Sequence, residues 1–157
     1  MQRLFLIIFI SLSLPACTKP QFKQVATRVR ESLSGAHPIP GNLDPAGTDN
    51  FSFAIFGDTH VGSPFGNILR SSVQHSKTGG DSFVIIAGDL SDSARGQSFT
   101  ELVATFSEEA MPFRAAIGNH DIYFDGWQRY KGTIGASVYS FDADNVHFSI
   151  IDSANGV

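Results

Sequence analysis

Three short polar motifs hold the residues of this sequence that could do metal-assisted chemistry. They read Gly57-Asp58-Thr59-His60, Gly88-Asp89 and Gly118-Asn119-His120-Asp121. Carboxylate oxygen and neutral imidazole together suit divalent or trivalent ions such as Zn, Mn or Fe. A carboxylate can also bridge two ions about 3.5–4 Å apart. The motifs therefore indicate a metal site, provided that the fold brings them together.

Each motif directly follows an apolar run that is typical of a buried strand. These runs are residues 51–56, 83–87 and 113–117. They lie roughly 30 residues apart, about the length of one βαβ unit. An amphipathic helix is predicted between the second and third runs, where apolar residues recur at helical spacing: Phe99, Leu102, Val103 and Phe106. A hairpin of residues 138–141 and 146–151 is predicted after the third motif.

This order predicts an α/β fold with βαβαβ units, in which the strands are parallel and covered on both faces. The carboxyl ends of parallel strands meet at one edge of a sheet, where such folds bind ligands. We therefore expect Asp58, Asp89 and Asn119 to converge there. Taken singly, each motif also has an ordinary explanation as a turn or as a structural histidine. Three of them in order, each after a strand, are much harder to explain in that way.

The three motifs resemble the core pattern of the calcineurin-like metallophosphoesterases: Asp-x-His, then Gly-Asp, then Gly-Asn-His-Asp/Glu. The resemblance covers roughly residues 51 to 152. It implies an αββα sandwich that holds two metal ions and hydrolyses phosphoesters, as a phosphatase or a phosphodiesterase. It further implies that a hydroxide bridging the two ions attacks phosphorus in line.

The resemblance also implies a role for each residue of the motifs. Asp58 and His60 would bind the first ion, Asp89 would bridge both ions and Asn119 would bind the second. In the catalytic step, His120 would stabilise or protonate the leaving oxygen. The last residue of the third motif, Asp121, would orient that histidine.

The sequence departs from the family pattern in its last part. The two later histidine motifs of the family are missing, and His147 lies within a predicted strand, where we expect it to be structural. We therefore expect residues 51–157 to form the N-terminal half of the sandwich, with at most weak activity alone. For Asp92 we favour a helix N-terminal acid over a partner of the metal ligands. A loop containing Tyr123, Phe124 and Trp127 could stack on a substrate ring, but internal aromatic packing is favoured.

The first residues are predicted to be an export signal. Met1-Gln2-Arg3 is a positive start, and the apolar run Leu4–Leu14 would be about 16 Å long as a helix, too short to span a bilayer. The next residues, Leu14-Pro15-Ala16-Cys17, resemble a bacterial lipobox. Residues 1–16 would then be a lipoprotein signal peptide, with lipidation at Cys17. The alternative is a plain secretory signal with a stray cysteine.

Residues 17–50 are predicted to be a tether, because proline and glycine recur in them. A short helix around residues 22–33 is the alternative to a solvated linker, and we favour the linker. The domain would thus be held by lipid at the bacterial cell envelope, on its periplasmic or extracellular face.

Composition limits the remaining function classes. With 42% hydrophobic residues and a net charge of −4, the chain has the composition of a folded domain. Acidic residues outnumber basic ones from residue 44 onward, which argues against binding of a nucleic-acid backbone. A phosphoester is the expected partner besides the membrane. The alternative function is a non-catalytic lipoprotein binding module that keeps the fold.

Overall fold

The computed structural model describes residues 19–35, 43, 50–64 and 68–155. Four α-helices lie in this part of the chain: α1 Lys19–Leu33, α2 Leu69–Gly79, α3 Gly96–Glu108 and α4 Gly126–Thr133. Five strands lie in it: β1 Phe53–Phe56, β2 Phe83–Ala87, β3 Phe113–Ala116, β4 Tyr139–Ala143 and β5 Val146–Ile150. The predicted signal peptide 1–16, the predicted lipidation site Cys17 and residues 18, 36–42 and 44–49 of the predicted tether are outside the described residues.

A parallel sheet of three strands carries the candidate motifs. Its order is β1-β2-β3, and Ile55 pairs with Ile85 while Ile86 pairs with Ala115. Strand β2 is therefore central, and its first four residues are buried, as its continuous apolar run predicts. The parallel β-α-β-α-β order confirms the predicted fold class.

The two faces of this sheet are covered by different layers. Val84 and Ile86 of β2 point into a core formed with helices α2 and α3. Phe83 and Ile85 alternate to the opposite face, where the antiparallel β4-β5 hairpin covers them. Edge strand β1 is less protected, because Ile55 is 62% exposed. The prediction that the parallel strands are covered on both faces thus holds for β2 but is wrong for this position of β1.

Helix α1 corrects the prediction for the N-terminal part of the tether. The solvated linker favoured from the sequence is wrong for residues 19–33, which form a helix that packs on the domain. Buried Arg28 pairs with buried Asp152, with 2.7 Å between Nε and Oδ2, and it also donates to the carbonyl of Ala154. Buried Ser32, one turn later, contacts the Ser137 hydroxyl at 3.2 Å. Because the buried face is polar, the apolar periodicity that usually reveals a packed helix is weak here.

Helix α4 also differs from the prediction. Trp127, expected in a loop, lies in the first turn of α4, which packs against α3 through Tyr130 and Phe99. Their rings meet edge to face, with centroids 5.8 Å apart. Within the described part of the chain, no helix is long and apolar enough to cross a bilayer.

Candidate metal centre

The loops after β1 and β2 hold three candidate ligands in an uncommon backbone conformation. The φ angles of Asp58, His60 and Asp89 are +53°, +43° and +50°. Residues with a Cβ rarely adopt such left-handed angles, and they do so mainly where the surrounding structure enforces them. Here the two loops hydrogen-bond to each other, since the His60 N–H donates to the carbonyl of Asp89 at 3.0 Å. Strain of this kind is concentrated at functional sites.

The loop after β3 approaches the Asp89 carboxylate very closely at Gly118. A Cβ built on Gly118 would lie 2.1 Å from both the backbone nitrogen and Oδ1 of Asp89. Only glycine leaves enough space for this approach. Two residues later, the His120 N–H donates to the same Oδ1 at 3.0 Å. Asp89 is therefore fixed by the loop that carries the third motif.

Two imidazoles and a carboxylate converge at this edge of the sheet. One potential ligand atom from each of His60, Asp89 and His120 lies within 4.8 Å of the others. The His60 and His120 rings meet edge to face, with centroids 4.5 Å apart. Nitrogen and carboxylate oxygen donors at this separation match the chemistry that Zn, Mn and Fe prefer. The residues present thus fit a metal ion.

Of the other predicted ligands, Asp58 lies beside this group, and Asn119 lies in the same loop as His120. The Asp58 carboxylate is largely exposed, and its Oδ1 lies 3.9 Å from His60 Nε2. That nitrogen is also 3.9 Å from Asp89 Oδ2, so it faces both carboxylates. Asn119 lies between Gly118 and His120, and its side-chain amide donates to the Tyr123 hydroxyl at 3.4 Å. Coordination by Asp58 and Asn119 stays a prediction.

The His120 ring is held by a backbone carbonyl. Its Nδ1 lies 2.7 Å from the carbonyl oxygen of Asp92. Because a carbonyl can only accept, Nδ1 must carry the proton, which leaves Nε2 as the nitrogen that can bind a metal or exchange a proton. The His120 ring also contacts the Tyr123 ring, and the ring centroids are 4.8 Å apart.

Asp121 has a different set of partners from the one that the family resemblance implies. Its buried carboxylate accepts the backbone N–H groups of Leu90, Ser91 and Gly118 at 3.2, 2.8 and 2.9 Å. Burial raises the pKa of Asp121 to about 6, although these three hydrogen bonds lower it. The His120 ring is instead oriented by the Asp92 carbonyl. Asp121 thus joins the loops after β2 and β3 and acts on His120 only through the backbone.

Asp92 lies beside His60 of the candidate centre, the position expected from the less favoured interpretation of the sequence, a partner of the metal ligands. Its Oδ1 lies 3.5 Å from His60 Nδ1. The preferred interpretation, an acid at the start of a helix, is wrong because α3 begins only at Gly96. A carboxylate on Nδ1 leaves Nε2 directed at the other two carboxylates, which is how metal-binding histidines are commonly oriented. Its position three residues after Asp89, in the same loop, is the one signal that the sequence offers.

The family model for calcineurin-like phosphoesterases matches residues 51–157. The chain belongs to the calcineurin-like phosphoesterase family. Comparison with curated proteins gives no match. The family assignment agrees with the metal-ligand chemistry of the three loops.

One histidine of this phosphoesterase domain lies apart from the candidate centre. His147 is on β5, and its Nδ1 is 2.5 Å from Oδ1 of Asp142, its partner on β4. It is not part of the candidate metal-binding group found among the described residues, which consists of His60, Asp89 and His120. Its structural role stays a prediction.

Proposed function

We propose that the chain is a metal-dependent phosphoester hydrolase, a phosphatase or phosphodiesterase with a dinuclear centre. The observation that carries the proposal is the convergence of His60, Asp89 and His120 from the loops after three parallel strands. Such a position is where α/β folds bind their ligands. Family membership, which rests on residues 51–157, supports the same reaction class.

We assign metal binding and the orientation of His60 to different residues of the three loops. Asp58, His60, Asp89 and Asn119 would hold the ions, with Asp89 shared between them. When bound, the ions neutralise phosphate charge and lower the pKa of a water molecule so that it can act as a nucleophile at neutral pH. Asp92 would keep His60 Nε2 directed at the carboxylates through its contact with Nδ1, at 3.5 Å.

His120 would act on the leaving group. With Nδ1–H donated to the Asp92 carbonyl, its Nε2 faces the cluster and can carry the second proton of an imidazolium. An imidazolium there would donate to the ester oxygen as the bond to phosphorus breaks. General acid catalysis of this kind contributes about 10²–10⁴-fold in rate.

The test is hydrolysis of p-nitrophenyl phosphate and bis(p-nitrophenyl) phosphate by the chelator-treated chain, with and without added Mn²⁺ or Zn²⁺. We expect weak hydrolysis that occurs only with metal, and its loss in Asp89→Asn. Asp142→Asn is the matched control, because Asp142 is an acid that pairs with His147 on the hairpin. Hydrolysis that survives the chelator or Asp89→Asn would contradict the proposal. So would metal binding without hydrolysis of either ester, which is the behaviour of a non-catalytic binding module.

We also propose that the enzyme is lipid-anchored at the bacterial cell envelope, on the periplasmic or extracellular face. The apolar run Leu4–Leu14 and the small residue before Cys17 support this location. In bacteria supplied with labelled palmitate, we expect label and membrane association in the wild type. Both should be lost in Cys17→Ser. A soluble, unlabelled wild-type protein would overturn this proposal.

A further inference from the structure

We propose that a groove beside the candidate centre binds the nucleobase of a nucleotide substrate. This inference rests on the proposed function and names its substrate class. The groove has a volume of about 410 Å³ and lies between α1 and residues 122–128. Ligand pockets typically measure 300–1,000 Å³, so it can hold a base and part of a sugar.

The position of the groove links it to the catalytic histidine. Ile122 and Phe124 line the groove, and Tyr123, between them, contacts the His120 ring at 4.8 Å. Phe124 follows His120 by four residues, so at most about 14 Å of extended chain separates the two. This part of the groove wall is therefore within about 14 Å of His120, and we place the base there while the phosphate is held by the metal cluster.

Phe124 combines an exposed aromatic side chain with an unusual backbone conformation. Its side chain is 95% exposed, and its φ angle is +57°. Internal aromatic packing, which the sequence favours for this loop, is thus wrong for Phe124. A bulky residue at such a φ angle is an outlier that needs a local cause. A base stacking on the ring would cover apolar surface that now faces water.

Trp127 gives the groove a second, fixed aromatic wall. Its indole N–H donates to Glu31 Oε2 at 2.8 Å, and Lys131 Nζ lies 2.9 Å from the same oxygen. The Lys131 ammonium is also 5.7 Å from the centre of the Trp127 ring. The indole is therefore held in place by α1 and α4 before any ligand arrives, which lowers the entropic cost of binding.

The polar residues of the groove favour a heteroaromatic ligand over a plain hydrocarbon. Gln24, Thr27 and Gln128 line the groove together with the aromatic residues. The two amides can donate and accept hydrogen bonds, as the edge of a nucleobase does. The Thr27 hydroxyl, which donates to the Lys23 carbonyl at 2.9 Å, can still accept one. An alkyl chain would desolvate these groups without replacing their hydrogen bonds. Arg28, also in the wall, already pairs with Asp152.

The test uses the fluorescence of Trp127, the one tryptophan of the chain. Adenosine, guanosine, cytidine and uridine are titrated separately into the full chain in the presence of a chelator. We expect saturable quenching by at least one nucleoside and none by ribose 5-phosphate, which lacks the base. Absence of saturable quenching by all four nucleosides, or equal quenching by ribose 5-phosphate, would overturn the inference.

Variants locate the binding in the groove. Phe124→Ala should weaken the nucleoside about fivefold or more, as expected for loss of one stacking contact. Ile68→Ala removes a similarly exposed apolar side chain at the start of α2 and should leave the affinity unchanged. An unchanged affinity in Phe124→Ala would overturn the inference. The assay needs neither metal nor hydrolysis, so its failure is distinguishable from failure of the proposed function.

Discussion

At the scale of single residues, the candidate centre depends on backbone conformations that the side chains themselves disfavour. Asp58, His60 and Asp89 all have positive φ angles, and each belongs to one of the first two motifs. The strain is balanced by hydrogen bonds between loops, such as His60 N–H to the Asp89 carbonyl. The sequence gives the identity of these residues but not this conformation, because the conformation is imposed by contacts between distant segments.

Gly118→Ala tests whether metal binding requires the close approach of the loop after β3 to Asp89. The added Cβ would lie 2.1 Å from Asp89 Oδ1, so the carboxylate has to move. We expect Mn²⁺ affinity, measured by calorimetry, to fall about tenfold or more, as for other changes that misplace a ligand. Gly132→Ala is the matched control, because a Cβ there meets nothing within 4 Å. Equal Mn²⁺ affinity in the two variants would show that metal binding does not need the close approach of Gly118 to Asp89.

Asp92 provides a second prediction at this scale. Asp92→Ala removes the carboxylate that faces His60 Nδ1 at 3.5 Å. We expect a 10- to 100-fold loss of metal affinity, which is roughly the effect of removing such a supporting partner. Asp92→Asn keeps an oxygen that can accept the Nδ1–H, so it should restore part of the affinity. Full affinity in Asp92→Ala would mean that His60 is oriented without it.

At the scale of elements, α1 packs on the phosphoesterase domain, although it precedes the residues that match the family. It contacts the segment after β5 through Arg28 and Asp152, α4 through Glu31 and Lys131, and the start of β4 through Ser32. These contacts connect residues that are far apart in sequence. Helix α1 therefore helps to position residues 122–128 and α4. These residues form the wall of the proposed groove that faces α1.

Arg28→Ala should destabilise the domain strongly. Arg28 and Asp152 are both buried, and removal of one partner leaves the other charge uncompensated. The free energy of unfolding, measured in urea, should fall by about 3–5 kcal/mol. Arg30→Ala, on the exposed side of the same helix, should change it by less than about 0.5 kcal/mol. Similar small effects in both variants would show that α1 does not pack on the domain in solution.

The elements differ in how much of them the sequence predicted. Strand β2 was predicted with its observed bounds, 83–87, because its apolar run is continuous and buried. Helix α3 was found from the spacing of Phe99, Leu102 and Phe106, all of which are buried. A helix around residues 22–33 was only the less favoured alternative to a linker, because α1 buries Arg28 and Ser32, whose partners lie more than 100 residues away. Local periodicity carries no information on such partners.

The candidate site, like the elements, was predicted only in part from the sequence. The spacing of the motifs predicted that Asp58, Asp89 and Asn119 would converge at one sheet edge. The group whose potential ligand atoms lie together contains Asp89 of these three, with His60 and His120 from the other two motifs. The contacts of Asp121 and Asp92 could not be predicted, because both are set by how the loops after β2 and β3 fold against each other. A side chain that binds backbone N–H groups of another loop leaves no pattern in the sequence.

At the scale of the whole molecule, the edge of the sheet at the carboxyl ends of its strands remains accessible to a ligand. Helices α2 and α3 cover one face and the β4-β5 hairpin covers the other. The loops at the carboxyl ends of the three parallel strands thus remain at the surface, where His60, Asp89 and His120 are each partly exposed. The central claim is that these loops together form one metal-binding centre.

The most direct test of that claim is calorimetric titration of Mn²⁺ into the chelator-treated chain and three variants. The account predicts saturable binding in the wild type and in His147→Ala, whose histidine pairs with Asp142 on the hairpin. It predicts that His60→Ala and Asp89→Asn each lose that binding, although they change loops after different strands. Unchanged Mn²⁺ affinity in either variant, or no binding by the wild type, would contradict it.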